Sequence, residues 1–395
     1  MKIIKRDYLQ ELIDYKGTQD IKVITGIRRS GKSMLITSFK EYIMNSDEKA
    51  NIIYIDFNNL EFEKLHEYHE LNNYVISNYD ESKNNYLIID EVQMCKNFEK
   101  TINSLHSQNK YDIYITGSNA FLLSSNLATL FTGRTIELKV FPFSYKEYLE
   151  YFELNDAISN FNQFIEMGGF SGSYLYQTEK ARKDYINSVY QTIIERDLIE
   201  RKKIRNKNVL TKVTSFLMDN ISNLTSIKNI SDIINKNDMK VNDKTIGSYI
   251  GGLCQAFLFY KVNRYDIKGK KYLSSSEKYY LCDVSLKTSV LGIKDMNYGR
   301  MYENIVAIEL LRRGYEVYVG VLYKSEIDFV CMKRDEKIYI QVSDNIENES
   351  TFNREVSSLL KIKDAYPKIL IARTKHPEYL YEGIRIIDIG EWLVK

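Results

Sequence analysis

Short apolar runs rich in β-branched residues alternate with longer segments of helical spacing over the first third of the chain. This alternation is typical of a parallel α/β sheet with helices on its faces. Each apolar run is bounded by polar residues, as expected for a strand buried on both sides. The predicted strands are Ile21–Thr25, Asn51–Phe57, Tyr86–Asp90, Tyr111–Ile115 and a fifth that follows Arg134. A helix predicted over Ser33–Met44 comes soon after the first strand.

The remaining two thirds of the chain change pattern twice. From Ser144 to about Gln191 the spacing is helical, with a break at Gly168–Gly172 that indicates a hinge or a close helix contact. Ser226–Asp283 predicts a helix, a turn, a second helix and a β-hairpin, which is the element order of a winged helix. From Gly299 onward an α/β pattern returns.

Composition limits the class of protein. A chain of 395 residues is too long for one ordinary core, so several domains are expected. The hydrophobic share of 44% and the charged share of 27% are those of a soluble globular protein, and the absence of a long apolar run or signal-peptide core predicts a cytoplasmic location without membrane contact. A net charge of +2 means that any nucleic-acid contact must come from local patches.

The loop after the first strand carries the clearest chemistry. Gly26–Ser33, GIRRSGKS, fits the phosphate-binding pattern G-x-x-x-x-G-K-[ST] at every fixed position. Backbone N–H groups and the helix N-terminus there suit an anion, and the Lys32 ammonium can reach the outer phosphates. The residues expected to bind ATP are Gly26, Ile27, Arg28, Arg29, Ser30, Gly31, Lys32, Ser33 and Met34.

Two acids at the end of the third predicted strand fit this loop. The carboxyl ends of parallel strands line the ligand crevice, so Asp90 is expected beside Mg²⁺, which the Ser33 hydroxyl also binds. Glu91 is placed to orient and polarise the water that attacks the γ-phosphate. The 58-residue separation of Lys32 and Asp90 leaves room for the intervening strand at 51–57.

Two further positions are candidates for the reaction. Thr116-Gly-Ser118-Asn119 follows the fourth strand, and Ser118, with Asn119 close behind, is the candidate that reports hydrolysis; the alternative is that these residues only cap the next helix, Ala120–Ser125. Arg134 precedes the fifth strand and can act as an arginine finger on a neighbouring subunit, or form a structural salt bridge.

These motifs resemble a known family. The segments GIRRSGKS, YLIIDEVQ, YITGSNAFLL and FTGRTIELKVFPFSYKEYL look like the AAA+ core of a bacterial and archaeal group of ATP-binding proteins. In that group a C-terminal domain of unknown function, related to restriction-endonuclease folds, follows the ATPase. The resemblance gives Lys32, Ser33, Asp90 and Glu91 the Walker A and B roles, makes Ser118 the sensor and matches Arg134 to the family's Gly-Arg position. Arg182 and Arg196 are candidates for a second sensor.

Two basic segments lie further along the chain. Glu195–Asn208 contains six basic residues against three acids, which suits either a phosphate contact or a solvated helix face. The tip of the predicted wing, residues 268–271, adds three lysines. The second helix of the predicted winged helix, Asp243–Ala256, has a single lysine, so direct base readout is not favoured.

The C-terminal α/β pattern resembles the PD-(D/E)xK nuclease fold. Glu303 falls on the predicted helix, Asp328 on the hairpin, and Gln341 and Ser343 on the next strand. Gln341 is neutral where that fold has its second metal-binding acid, and Ser343 cannot supply the lysine. A catalytically degenerate module is therefore expected.

The sequence thus predicts a P-loop NTPase of the AAA+ type with an α/β parallel sheet, dependent on ATP and Mg²⁺. Its predicted parts are an ATPase core over 1–145, a helical lid with winged helix over 146–295 and an endonuclease-like domain over 296–395. Nucleotide state is expected to control binding to DNA, through 196–207 and 268–271, or to a partner protein. The alternatives are a STAND-like signalling switch and, third, an ATP-dependent nuclease. A homo-oligomer is compatible with the arginine-finger role predicted for Arg134.

Overall fold

The structure is a computed structural model that describes residues 4–118, 131, 133–236, 241–292, 297–323 and 325–395. Its contacts divide the chain into two units, Met1–Phe141 with Gln255–Phe257, and Pro142–Cys254 with Leu258–Lys395. Within the described ranges, no helix combines the length and apolar character needed to cross a bilayer.

The first unit is built on a five-stranded sheet in which every pair of neighbours is parallel. The strands are β1 Ile21–Thr25, β2 Ala50–Asp56, β3 Asn84–Asp90, β4 Tyr111–Gly117 and β5 Thr135–Lys139. They lie in the order β2-β3-β4-β1-β5. The strand between β1 and β3 in space is therefore β4. The predicted strand at 51–57, which separates β1 from β3 in sequence, is the edge strand β2.

Helices cover both faces of this sheet. They are α1 Asp7–Asp14, α2 Lys32–Ser46, α3 Tyr68–Ser77 and α4 Phe98–Ser107, with 3₁₀ turns at Leu60–His66 and Val92–Met94. One apolar cluster joins α1 and α2 to strand residues such as Ile24, and a second joins α3 and α4 to strand residues such as Val23. Adjacent residues of β1 thus face opposite cores, which explains why the strand is apolar throughout. The predicted helix Ala120–Ser125 lies outside the described residues.

The second unit contains a mixed eight-stranded sheet. Its strands are β6 Phe259–Asp266, β7 Lys271–Leu281, β8 Glu316–Leu322, β9 Ser325–Lys333, β10 Glu336–Ser343, β11 Lys368–Ala372, β12 Tyr379–Tyr381 and β13 Ile384–Asp388. They lie in the order β12-β13-β11-β10-β9-β8-β6-β7. The hairpin β6–β7, predicted as the wing of a winged helix, pairs in parallel with β8. The boundary predicted near residue 295 consequently falls inside one contact unit, and the division into three parts stays a prediction.

The described helices of the second unit lie before, between and after these strands. They are α5 Tyr145–Phe152, α6 Phe161–Met167, α7 Glu179–Thr192, α8 Lys207–Asp219, α9 Ile227–Asn235, α10 Asp243–Gln255, α11 Ser285–Leu291, α12 Tyr298–Arg312, α13 Glu349–Leu360 and α14 Ile389–Val394. A π-helical segment, Ile193–Glu200, continues α7, and Ser171–Leu175 forms a 3₁₀ turn. Helices α9 and α10 and the hairpin β6–β7 occupy the residues of the predicted winged helix, whose role as a DNA-binding module stays a prediction.

The glycine cluster after α6 is a place of close packing. A Cβ atom on Gly169 would lie 2.3 Å from the carbonyl oxygen of Phe143. The Gly169 N–H donates to the buried Asp283 carboxylate, and Gly168 has a φ of +66°. Of the two alternatives predicted for this segment, the structure contains the close contact.

Candidate nucleotide-binding site

The loop between β1 and α2 depends on two glycines. Gly26 has a φ of +143°, and a Cβ atom there would lie 2.1 Å from the carbonyl oxygen of Val140. Gly31, with a φ of +97°, is the N-cap of α2 and offers no side chain to cap it. The N-cap residue therefore supplies no side-chain hydrogen bond to the first N–H groups of α2, and helix N-termini of this kind bind anions.

The Lys32 side chain turns back over this loop. It is 5% exposed, and its Nζ donates to the carbonyl oxygens of Gly26 at 2.8 Å and Ile27 at 3.0 Å. The ammonium is thus fixed beside the loop backbone. The Ser30 Oγ is also buried and has no hydrogen-bond partner among the described residues.

Asp90, at the end of β3, is held by a hydroxyl group. Thr116, at the matching position of β4, donates to Asp90 Oδ1. Burial raises the pKa of Asp90, and the hydroxyl groups of Thr116 and Ser33 oppose that shift. The buried Asp90 Oδ2 has no partner among the described residues.

Glu91 follows in a backbone conformation that is unusual for its type, with a φ of +56°. Its N–H donates to the Thr116 hydroxyl at 3.0 Å. Its Oε2 accepts hydrogen bonds from Ser118, at 3.2 Å, and from the Gln93 side-chain amide. Ser118, which the sequence analysis chose as sensor, therefore contacts Glu91, while Thr116 contacts both acids.

The donor atoms brought together here suit a triphosphate and a hard cation. The Ser33 hydroxyl is near enough to the Asp90 carboxylate to oppose the rise of its pKa, and oxygen ligands of this kind are those that Mg²⁺ prefers. The unpartnered Asp90 Oδ2 leaves capacity for a metal or a metal-bound water. Lys32 supplies positive charge at the same loop. The residues present thus fit Mg²⁺ and ATP.

One contributor, Arg6, was missed by the sequence analysis. Its guanidinium is buried and donates to the carbonyl oxygens of Ser30, at 2.7 Å, and Phe141, at 2.9 Å. It also lies 4.8 Å from the centre of the Tyr8 ring. Arg6 therefore joins the phosphate loop to the segment that follows β5. An arginine 20 residues before the motif carries no signal of this contact in sequence.

Comparison with known proteins agrees with this geometry. Residues 18–149 match the family model described as "AAA domain", and residues 158–297 match "Domain of unknown function (DUF8612)". An uncharacterized protein of Haemophilus influenzae is 36% identical over 400 residues, covering 100% of this chain and 99% of the relative. An uncharacterized protein of Methanocaldococcus jannaschii is 31% identical over 408 residues, covering 99% of this chain and 88% of the relative.

The chain belongs to the AAA+ ATPase family. Among solved structures, Cdc6p from Pyrobaculum aerophilum covers 78% of this chain and 96% of its own length at 10% identity and a TM-score of 0.32. AMPPCP-bound DnaA from Aquifex aeolicus covers 62% of this chain and 86% of its own length at 15% identity and a TM-score of 0.32.

In this AAA+ protein the other predicted site residues lie apart from the loop. Arg134 is exposed, and its carbonyl accepts from the N–H of Ile21, at the start of β1. The phosphate loop follows the other end of β1, about 16 Å away for a strand of five residues. Arg134 is therefore not brought to the phosphate loop of its own chain. Asn119 lies outside the described residues.

The candidates for a second sensor lie in the second unit of the AAA+ protein. Arg182, on α7, donates to the carbonyl oxygens of Tyr176 and Gln177 at 3.2 and 3.0 Å. Arg196 is exposed on the π-helical segment. Neither arrangement identifies a sensor.

The basic stretch 196–207 is largely solvated. Arg196, Lys203 and Arg205 are exposed, and Lys207 pairs with Glu195 at 3.0 Å. Desolvation lowers the pKa of Lys202, and the charge of Arg201 acts in the same direction. The exposed cations leave this segment able to contact phosphate.

The C-terminal residues of the predicted nuclease-like centre do converge, and they include a lysine that the sequence analysis missed. Lys278, on β7, is 2% exposed, and its Nζ lies 2.8 Å from Glu303, 2.7 Å from Glu326 and 3.7 Å from Asp328. Burial acts to lower the pKa of Lys278, but the three carboxylates together raise it above its usual value. A buried ammonium therefore lies among the acids.

The neutral Gln341 of this AAA+ protein has its own partners. Its Oε1 accepts from the Asp328 N–H at 3.3 Å, and its Nε2 donates to Glu355 at 2.8 Å. Asp328 Oδ2 accepts the Val342 N–H at 2.8 Å, and burial raises the pKa of Asp328 well above its usual value. The Ser343 hydroxyl donates to a nearby carbonyl at 3.0 Å. The nuclease likeness itself stays a prediction.

Proposed function

We propose that this protein binds ATP with Mg²⁺ at the loop 26–34 and hydrolyses it. The observation that carries the proposal is the buried Asp90 carboxylate, which Thr116 holds through Oδ1 and whose Oδ2 has no partner among the described residues, together with Lys32 fixed over the loop. The uncapped N-terminus of α2 and Lys32 are placed to hold the phosphates, and Ser33 and Asp90 to hold the metal. When bound, Mg²⁺ neutralises charge on the phosphate oxygens.

In the proposed reaction Glu91 is the base. Its carboxylate accepts from Ser118 and Gln93, and it must orient a water toward the γ-phosphate. Thr116 fixes Asp90 through its hydroxyl proton and the Glu91 backbone through its oxygen, so it sets the separation of the two acids. Ser118 is placed to link the position of Glu91 to β4. Loss of the γ-phosphate then changes the hydrogen bonds available at the end of β4.

Arg134 has its proposed role in another copy of the chain. It lies at the opposite end of β1 and β5 from the phosphate loop, so the length of the strand separates it from the site of its own subunit. An arginine in that position stabilises transferred phosphate only when a second protomer supplies it. This role implies a homo-oligomer in the active state.

We further propose that nucleotide state controls binding to DNA. The exposed cations of 196–207 and the three lysines of the hairpin 268–271 support contact with phosphates. The AAA domain precedes these elements in the chain, so hydrolysis can alter how they are presented. The alternative, a STAND-like signalling switch that binds a protein partner, predicts slow ATP turnover that DNA does not change.

The test is steady-state hydrolysis together with binding of a fluorescent ATP analogue. Lys32→Ala is expected to lose binding, and Glu91→Gln to retain binding and lose turnover. Exposed residues outside the site provide matched controls, Lys83→Ala and Glu81→Gln, which should behave as wild type. Wild-type turnover by Glu91→Gln would refute its role as base.

Duplex and single-stranded DNA are then added to the same assay. The DNA-linked proposal predicts a change in turnover and a steep loss of binding with salt. Turnover that no nucleic acid changes, with no binding at low salt, would refute this part and favour the protein switch. ATP hydrolysis at the loop would stand in either case.

A further inference from the structure

Tyrosine rings and lysine ammonium groups share one region of the eight-stranded sheet, where the hairpin β6–β7 meets β8 and the start of β10. We call it the tyrosine–lysine face and define it by Lys268, Tyr272, Tyr318, Tyr323, Lys337 and Tyr366. Neither the AAA core nor the proposed hydrolysis uses any of these side chains.

Strand pairing brings the rings to one side of the sheet. Tyr272 on β7 is opposite Tyr265 on β6, and Tyr265 is opposite Gly320 on β8, two residues beyond Tyr318. Alternate residues of a strand share a face, so Tyr318 lies beside the other two. The Tyr272 and Tyr318 ring centres are 5.1 Å apart. Together these rings form a continuous aromatic surface.

Lysines lie over and beside this surface. Lys337 on β10 has its Nζ 5.4 Å from the centre of the Tyr265 ring and 5.1 Å from that of Tyr366. At the hairpin tip, the Nζ of Lys268 is 4.7 Å from the centre of the Tyr323 ring. Contacts between a cation and an aromatic ring therefore occur both at the tip of the hairpin and at β10.

The rings at the rim are open to solvent. Tyr323, at the turn after β8, is 70% exposed, Tyr272 is 64% exposed and Tyr366 is 44% exposed. Aromatic side chains left this exposed on a sheet, with cations between them, have the composition of surfaces that stack bases. The open ring faces are the feature that a partner would cover.

The local acids are already engaged. Asp266 accepts the backbone N–H groups of Lys268 and Gly269, Glu316 accepts the Tyr318 hydroxyl at 3.1 Å, and Asp364 accepts the Tyr339 hydroxyl. Lys337 is 4.0 Å from Asp364. The three tip lysines, in contrast, form no ion pair with any described residue; they are Lys268, Lys270 and Lys271. The tip therefore offers positive charge to an anionic partner.

We propose that the tyrosine–lysine face binds single-stranded nucleic acid, with bases stacked on Tyr272 and Tyr323 and phosphates held by the tip lysines. A duplex keeps its bases stacked on each other, so only a single strand can use the exposed rings. The proposal builds on the DNA-linked output above and names its strand state and surface. It does not depend on ATP hydrolysis.

The test uses the full-length chain and a fluorescein-labelled oligothymidine of about 16 nucleotides, with anisotropy as readout. Tyr272→Ala and Tyr323→Ala are each expected to weaken binding by about tenfold, which corresponds to the loss of one stacked base. Tyr272→Phe should retain wild-type affinity, because stacking needs the ring and not the hydroxyl. Tyr379→Ala, at an exposed tyrosine on the opposite edge strand β12, is the matched control and should bind as wild type.

The other outcomes overturn the proposal in distinguishable ways. If alanine at Lys268, Lys270 and Lys271 abolishes binding while the tyrosine variants bind normally, the contact is phosphate attraction without stacking. Binding of a matched duplex alone would leave the DNA-linked output in place and refute the single-strand assignment. Binding of neither probe would refute both, and a change in elution volume of Tyr272→Ala without DNA would make the face a contact between copies of this chain. ATP-analogue binding, measured on the same samples, reports separately on the loop.

Discussion

Replacing Lys278 with Met is expected to destabilise the second unit strongly. The side chain is 2% exposed and lies within 2.8 Å of Glu303, 2.7 Å of Glu326 and 3.7 Å of Asp328. Methionine keeps most of the volume and removes the charge, so Glu303 and Asp328 would stay buried without their cation. Removing one partner of a buried ion pair costs about 3–5 kcal/mol. For a unit of this size the melting temperature should fall by about 6–20 °C.

The same variant should respond to pH. Burial raises the pKa of both Glu303 and Asp328. An acid whose pKa is higher in the folded state takes up protons on folding, so its contribution is favourable at low pH and is lost as pH rises through the folded value. Without Lys278 these pKa values rise further. The stability difference between wild type and variant should therefore shrink from about pH 7 to about pH 5.

The single tryptophan makes the measurement specific. Trp392 is buried in α14, with the Arg313 guanidinium 4.3 Å from its ring, so its fluorescence during urea unfolding reports on the second unit. Lys261→Met is the control: Lys261 is 45% exposed and pairs with Glu277 at 3.0 Å on the same hairpin. That exposed pair should be worth less than about 1 kcal/mol. Equal losses in the two variants, or a loss at Lys278 that does not change with pH, would refute the reasoning.

Three further predictions concern the nucleotide site. Gly26→Ala should abolish binding of a fluorescent ATP analogue, since its Cβ would lie 2.1 Å from the Val140 carbonyl oxygen; Gly17→Ala, with open space at its Cβ position, is the control, and binding by the Gly26 variant would contradict the loop geometry. Arg6→Ala should lower the free energy of unfolding by about 1.5–3 kcal/mol for each of the two lost hydrogen bonds and should weaken binding of the ATP analogue. If Arg6→Lys restores both stability and binding, the positive charge suffices without the fork geometry of the guanidinium. Thr116→Val should slow ATP hydrolysis more than it weakens binding of the ATP analogue, and an unchanged rate would show that Thr116 does not set the separation of Asp90 and Glu91.

The residues of the candidate nucleotide site could be proposed from the sequence because they are close in sequence or end successive strands. The pattern GIRRSGKS fixes the loop, and a strand that ends in two acids fixes Asp90 and Glu91 at the same edge. Finding that Thr116, and not Ser118, contacts Asp90 required the register of the β3–β4 pairing. Ile89 pairs with Ile115, so Thr116 comes beside Asp90. Two short polar side chains separated by one residue look alike in sequence, and only the pairing of β3 with β4 shows that Thr116 meets the Asp90 carboxylate while Ser118 meets that of Glu91.

The second unit was less predictable for a topological reason. Local periodicity indicates some of its elements, such as the predicted helix Asp243–Ala256, which is observed as α10 over Asp243–Gln255. Lys278, however, is 25 residues from Glu303 in sequence and on a hairpin that the sequence analysis assigned to another domain. It reaches the acids because β6 pairs with β8, across two intervening helices. Periodicity shows that a strand exists and gives no information on which strand becomes its neighbour.

The pairing of β6 with β8 also bears on how such chains can be cut or exchanged. The match to the domain of unknown function ends at residue 297, before α12, whereas β6 finds its inner neighbour at residues 316–322. A fragment ending at 297 would expose the inner edge of β6, an open row of N–H and C=O groups that recruits strands from other copies. Such a fragment would also lack Glu303, Glu326 and Asp328, the three acids that surround the Lys278 ammonium. A chimera of two relatives is therefore expected to stay soluble only when the hairpin β6–β7 and the strands that follow it come from the same parent.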